Sequence, residues 1–189
     1  MPLTPETLAA NEDAVERLDW MFGFRIDIEP AEPVWFKVDG IERIRPIGQD
    51  GAGGVFAMLP DSRVLYVSSE GEAGVLAADF KAFIELVAAC PYWHDILKYS
   101  GQGQLSEMRR AAAALAAMNC DEEDEDLKEA RDFLKSRFGI DEPADPVGAL
   151  HEVVSTSDVV VRTPHGNACT TLFNGFTIDN APLLRDFAD

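Results

Sequence analysis

The sequence predicts an α+β domain, an antiparallel sheet with helices on one side and at its edge. Three observations predict it. In the first half, short runs rich in Val, Ile, Phe and Tyr are separated by the turn signals Asp39-Gly40 and Pro60-Asp61-Ser62. The apolar period then changes, so that Phe80, Phe83, Ile84 and Val87 share one side of a helix. Two further helical patterns lie between 106 and 138, and Val- and Thr-rich runs return after 150. No internal repeat or low-complexity linker divides the chain, so 1–189 reads as one domain. Within it, 1–100 is a sheet-and-helix core, 101–140 a helical segment, and 147–189 a returning hairpin with a C-terminal tail.

The elements follow in order. Thr4 is a good N-cap, Pro5 suits the first helical position, and Leu3 and Leu8 are spaced for a hydrophobic staple. Leu8, Val15, Leu18 and Phe22 continue that helix as a stripe, and Gly23 ends it. Pro30 and Pro33 mark an extended connection. Strands are expected at 34–38 and 41–47, joined by Asp39-Gly40 as a hairpin. A second strand pair is expected at 55–59 and 63–67. Gly71 and Gly74 bracket a turn before a short Val75-Leu76 piece. Asp79 caps a helix at 80–90, which Pro91 interrupts. Tyr92, Trp93, Ile96 and Leu97 start a short second helix, broken at Gly101 and Gly103. The alanine-rich stretch 106–118 is helical, with Leu105, Met108, Ala112 and Leu115 on one face. The acidic run Asp121 to Asp126 sits at the start of the next helix, where carboxylates favour the dipole. Leu127, Ala130, Leu134 and Phe138 are its buried stripe, and Gly139 its cap. Pro143 and Pro146 mark a loop. The runs 153–161 and 168–173 read as a hairpin turned by Pro164-His165-Gly166-Asn167.

Composition narrows the function classes. Sixteen basic residues against 34 acidic ones give a net charge of −18. Nucleic acid and anionic membrane surfaces are poor partners for such a chain, because both need clustered cations. A basic protein partner would be steered toward it, and solubility alone is the competing reason for the acidity. No apolar run is long enough to span a membrane, and the first residues lack a signal-peptide pattern, so a cytoplasmic location is expected. Cys90, Cys120 and Cys169 are odd in number and widely spaced, which favours free thiols.

Most candidate sites have a plain structural reading. The glycines from Gly48 to Gly54 match neither a phosphate loop nor a dinucleotide fingerprint, and a strand follows them. Counted from Asp121 as a calcium loop, the sixth residue is Asp126 and the twelfth Asp132, where a glycine and a glutamate are needed. His94, His151 and His165 share no metal spacing, and Cys90 with His94 is too small a ligand set for zinc. No metal and no cofactor is expected. No G-x-S-x-G elbow is present, although a triad assembled across the fold is invisible to sequence. Among the aromatics, Trp35 and Phe36 are singled out. Strand neighbours point to opposite faces, so one of the two needs cover from outside the main core. A partner chain or the C-terminal helices would supply it.

From Ile47 to Ile84 the chain resembles a known family. Ile47, Gly48, Asp50, Gly53, Gly54 and Phe56, then Val64 and Leu65, then Ala78, Asp79, Phe80, Phe83 and Ile84 follow its pattern of glycines, aspartate and aromatic strand, ending in a segment like A-D-S-F-x-x-F-L. That family is the SUKH superfamily of bacterial immunity proteins, which also includes a yeast cell-wall regulator. The resemblance implies a protein-binding scaffold in which Gly48, Asp50, Gly53, Gly54, Phe56, Asp79, Phe80 and Phe83 are structural. It implies an immunity function, sequestering a toxin domain by occlusion without chemistry. The expected contact residues are Trp35, Phe36, Glu122, Glu123, Asp124 and Glu125, meeting a basic toxin surface. A regulatory scaffold and a hydrolase with a dispersed site are the alternatives.

Overall fold

A computed structural model describes residues 3–30, 33–119 and 123–187, with the side chains of 123 and 124 left out. Thr4 caps the first helix, its hydroxyl accepting the Thr7 N–H at 3.2 Å, with Pro5 in the first turn of α1 (Pro5–Ala9). The expected single helix to Phe22 is two. The chain turns at Ala10, and the Asn11 side chain accepts the Ala14 N–H at 3.0 Å to start α2 (Glu12–Phe22). Asparagine offers the backbone an alternative partner to the helix ladder, so here it starts a helix rather than continuing one. Ala14, Leu18 and Phe22 form the buried stripe of α2, and Gly23 closes it at φ 63°.

The main sheet contains β1 (Arg25–Ile26), β3 (Arg45–Gln49), β4 (Val55–Met58), β5 (Val64–Val67), β6 (Glu72–Ala77) and β8 (Thr170–Thr171), in that spatial order. Its pairs are antiparallel except β6–β8, which is parallel. A second sheet pairs β2 (Lys37–Val38) with β7 (Val161–Arg162). A period of two, interrupted by a register shift between β5 and β6, sorts the central strands. Phe56, Val64, Tyr66 and Leu76 join the larger core. Leu65, Val67 and Val75 join a smaller one with Phe36, Val38 and Val161. Central strand β5 is buried throughout, which is why Val64-Leu65-Tyr66-Val67 is an unbroken apolar run.

Four local expectations change. The Asp39-Gly40 turn forms, with Gly40 at φ 73° and Val38 bridged to Ile41, but its arms diverge. One arm enters the small sheet and the other the main sheet. Gly74 lies inside β6 rather than in a turn, where the Leu172 side chain crosses so closely that a Cβ would meet its Cδ1 at 3.0 Å. Residues 146–155 are a helix, α7 (Pro146–Ser155), where a loop and the start of a strand were expected. The Asp145 side chain accepts the Gly148 N–H at 3.0 Å and Pro146 occupies the first turn. That start signal, together with Leu150 and Val154 buried one turn apart, outweighs the β-propensity of Val153-Val154. The turn at 164–167 closes through a Thr163 N–H bond to the Asn167 carbonyl at 2.9 Å and a Cys169 N–H bond to the Val161 carbonyl at 2.8 Å, and beyond this short ladder the flanking strands part. β7 goes to β2, and β8 to β6.

The helical layer follows expectation more closely. Asp79 accepts the Ala82 N–H at 2.8 Å and starts α3 (Phe80–Ala89). Phe80, Phe83, Ile84 and Val87 are buried against the sheet, and Phe83 packs within 5.2 Å of Phe56 and 4.9 Å of Phe24, centroid to centroid. Then come α4 (Trp93–Lys98), α5 (Leu105–Met118) and α6 (Glu123–Phe138), which packs on α2. A 3-10 turn at Ile178–Asn180 and α8 (Pro182–Arg185) end the described chain. No helix among the described residues is long and apolar enough to cross a membrane. Cys90 is buried and Cys169 half-buried, both as free thiols, and Cys120 lies outside the described residues.

Candidate protein-binding surface

The buried stripe of α2 determines what its other side presents. Trp20 is two residues from both Leu18 and Phe22, about 200° around a helix of 100° per residue. It therefore points away from the core, and 76% of it is exposed. Met21 beside it is half-buried. Two shallow depressions adjoin here. One, of about 250 Å³, is lined by Trp20, Met21, Tyr92, Asp126 and Leu127. The other, of about 320 Å³, shares Trp20, Met21 and Asp126 and adds Glu16, Arg17, Glu129 and Ala130. Trp20 is thus an apolar ridge between two hollows of the α2–α6 seam.

The charges around it are mostly negative. Arg17 is the sole basic lining residue, and it is committed: it bonds Glu129 at 3.2 Å and its guanidinium lies 4.4 Å from the Phe133 ring centre. Glu16 and Asp126 form no ion pair among the described residues. Glu125 is exposed on the first turn of α6. Glu122 lies outside the described residues, as do the side chains of Glu123 and Asp124. Trp20 is therefore an amphipathic aromatic beside two carboxylates, Glu16 and Asp126, without an ion pair among the described residues. Aromatic anchors supply contact energy, and rim charges supply steering.

Trp35 and Phe36 lie elsewhere. Phe36 is 3% exposed in the smaller core, which it shares with Val38 of β2, Val161 of β7 and residues of the main sheet, with Val153 of α7 packed against it. Trp35 is 36% exposed, edge-on to Phe36 at 5.4 Å, beside a depression of about 430 Å³ that also includes Pro33, Pro46 and Val55. It shares no lining residue with the Trp20 hollows, so the aromatic and acidic contact residues expected from sequence do not converge. Trp20 is the aromatic that stands beside Asp126. The signal for it was in the sequence, since a tryptophan off the Leu18–Phe22 stripe has to face solvent.

The glycine-aspartate motif holds the sheet together. Asp50 accepts the Ala52 and Gly54 N–H groups at 2.8 Å each and the Tyr66 hydroxyl at 2.5 Å. Gly54 permits that last bond, because a Cβ there would collide with the Tyr66 hydroxyl and Asp50 Oδ2. Gly48 lets β1 approach: an added Cβ would stand 2.5 Å from the Arg25 carbonyl oxygen. Gly53 takes φ 88° in the intervening turn. Burial first, then the Asp50 hydrogen bond and the nearby carboxylates, push the Tyr66 hydroxyl well above its usual range, so it remains a donor.

Ser155 Oγ lies 3.4 Å from His151 Nε2. The same Nε2 lies 2.9 Å from the Gly103 carbonyl oxygen. A carbonyl only accepts, so Nε2 carries the proton in that bond and is not free to take one from Ser155. Among the described residues, no group of three or more His, Cys, Asp or Glu side chains is placed to hold a metal ion. No family model matches the chain, and neither a curated protein nor a solved structure matches it.

Proposed function

We propose that this chain is a protein-binding, immunity-type protein that sequesters a basic toxin domain, with the Trp20 surface as its docking face. The observation that carries this reading is Trp20 itself, 76% exposed between two hollows whose Glu16 and Asp126 lack an ion-pair partner among the described residues. The net charge of −18 supports it, as does the resemblance of 47–84 to the SUKH pattern. Inhibition then works by covering a cationic toxin surface, and this chain carries out no reaction. Location in the cytoplasm, where such a toxin would otherwise act, belongs to the same proposal.

The test uses a basic toxin domain encoded beside this chain's gene. Trp20→Ala is expected to weaken binding by about 30-fold, the scale of an interface hot spot. The melting temperature should hold, because the side chain leaves no cavity. Glu122, Glu123 and Glu125 changed together to Gln should slow association several-fold at low salt, with little effect at 1 M salt, where the Debye length is about 3 Å. Unchanged affinity in Trp20→Ala would defeat the docking face. A loss seen only in Trp35→Ala would move it to the β3–β4 side, the second reading that the half-exposed Trp35 favours.

A further inference from the structure

Trp20 and Leu183 are the two most exposed large apolar side chains among the described residues, at 76% and 79%. They lie on different elements, α2 and α8, yet α4 runs beside both. Tyr92, at the start of α4, lines a Trp20 hollow. Asp95 and Tyr99, farther along α4, line another hollow of about 430 Å³ with Leu115, Met118, Pro182 and Leu183. Helical hydrogen bonding holds over that whole stretch. The Ile96 N–H meets the Tyr92 carbonyl at 3.0 Å, and the Tyr99 N–H meets the Asp95 carbonyl at 2.9 Å. The i, i+3, i+7 spacing therefore puts Tyr92, Asp95 and Tyr99 within about 60° of helix surface, and seven residues advance about 10 Å, two turns. The Trp20 hollows and the Leu183 hollow are two ends of one strip along this flank of α4.

The strip is acidic as well as apolar. Its lining carboxylates Glu16, Asp95 and Asp126 form no ion pair among the described residues, nor does exposed Asp19 beside Trp20. The basic groups nearby are occupied or turned away. Arg17 is held by Glu129 and the Phe133 ring. Lys98 rests its ammonium 5.4 Å from the Tyr99 ring centre. It lines the cleft on the opposite flank of α4, shared by Tyr66, Glu72, Trp93 and Asn174. Arg185 follows Leu183 by two residues, about 200° around α8, and is absent from the lining. A strip with apolar features two turns apart and uncompensated carboxylates matches an α-helix whose i and i+7 anchors are flanked by Lys or Arg. A second copy of this chain, with its net charge of −18, would bring like charge to the strip.

We propose that the strip along α4, from Trp20 to Leu183, is a groove for a basic amphipathic helix of a protein partner. The proposal rests on the Trp20 docking reading and extends it. It names the secondary structure of what docks and makes the α8 end a second anchor point.

The probe is a leucine–lysine peptide of about four helical turns, with leucines at i, i+3, i+4 and i+7. A peptide of the same composition with leucine and lysine alternating, a strand pattern, is the control. Titration calorimetry and far-UV circular dichroism should show one helical-pattern peptide bound per chain, with helix gained on binding. Trp20→Ala and Leu183→Ala should each weaken it about tenfold, while Trp35→Ala, off the strip, should change nothing. Asp95→Asn should weaken it several-fold at low salt and little at high salt. Unchanged melting temperatures in the two exposed-residue variants exclude misfolding as the cause. A loss in Trp20→Ala without one in Leu183→Ala would overturn the groove and leave the Trp20 docking face standing. Affinity unchanged in both would also overturn the groove, and the toxin titration of Trp20→Ala then decides the docking face separately. Equal binding of the two peptides would show attraction to net charge alone and would overturn it as well. So would a dimer in sedimentation that Leu183→Glu dissolves, which assigns the α8 end to a second copy.

Discussion

On one face of the main sheet, Phe56, Val64, Tyr66 and Leu76 meet α2, α3 and α4 in a core crowded with rings. On the other, Leu65, Val67 and Val75 meet Val38 and Val161, carried by two strands of two residues each, and Phe36 just before the first of them. The same strands, alternating side by side, are thus closed by two very different covers. The helical cover is made of long elements that each bring a full buried stripe. The small sheet is pinned largely by its ends. The Asp39 N–H bonds the Val160 carbonyl at 2.9 Å, and Arg162 grips both Asp39 oxygens at 2.7–2.9 Å. Arg63 reaches Asp158 at 2.6 Å. Apolar burial does not depend on pH, whereas exposed ion pairs do. The difference therefore teaches where the molecule should open first.

The largest expected effect lies on the helical face. Phe83→Ala should cost about 3–5 kcal/mol, because it removes a ring at the centre of the Phe24–Phe56–Phe83 cluster and leaves a cavity. Denaturant unfolding measures it, and a loss below the cost of a single methyl group would show that the helical face is not the main core.

A smaller effect is expected across the sheet. Val161→Ala should cost about 1–2 kcal/mol for two buried methyl groups. Hydrogen exchange sharpens the comparison. The Asp39 and Cys169 amides should open at lower free energy than the β4–β5 amides, and Val161→Ala should lower the first pair without moving the second. Equal protection on both faces would contradict the distinction.

The smallest effect is the response to acid. Hydrogen bonding from Arg162 holds the Asp39 carboxyl below the usual aspartate value, and Arg63 does the same for Asp158. Groups depressed in the folded state stabilise it fully above their unfolded value, near 3.8, and lose that contribution as the pH falls through the lower folded value. Protection of the Asp39 and Cys169 amides should therefore decline below pH 3.8 while the β4–β5 amides hold. In Asp39→Asn with Asp158→Asn that decline should flatten.

Local chemistry set the α+β class, the strand pair expected at 55–59 and 63–67 and found at 55–58 and 64–67, and the caps at Thr4, Gly23, Asp79 and Gly139. It also determined the one-sided stripes of α3 and α6. Each of these is written within a turn or two of chain, by a capping oxygen, a positive-φ glycine or a period of 2 or 3.6. The exposed Trp20 was equally legible, through its angle to Leu18 and Phe22. Helix α7, read as a loop and a strand start, carries the same kind of signal, since Asp145-Pro146 repeats the logic of Thr4-Pro5. Tertiary structure alone decided which strands pair after the Asp39-Gly40 and 164–167 turns, because a tight turn sets the local reversal but not the partner of each arm. It decided that Phe36 joins the small core with Val161, far along the chain, while Trp35 is left half-exposed. It also decided that Glu72, Tyr66, Trp93 and Asn174 share one cleft. Those outcomes depend on which distant apolar and polar groups meet when the sheet closes, and no local pattern records that.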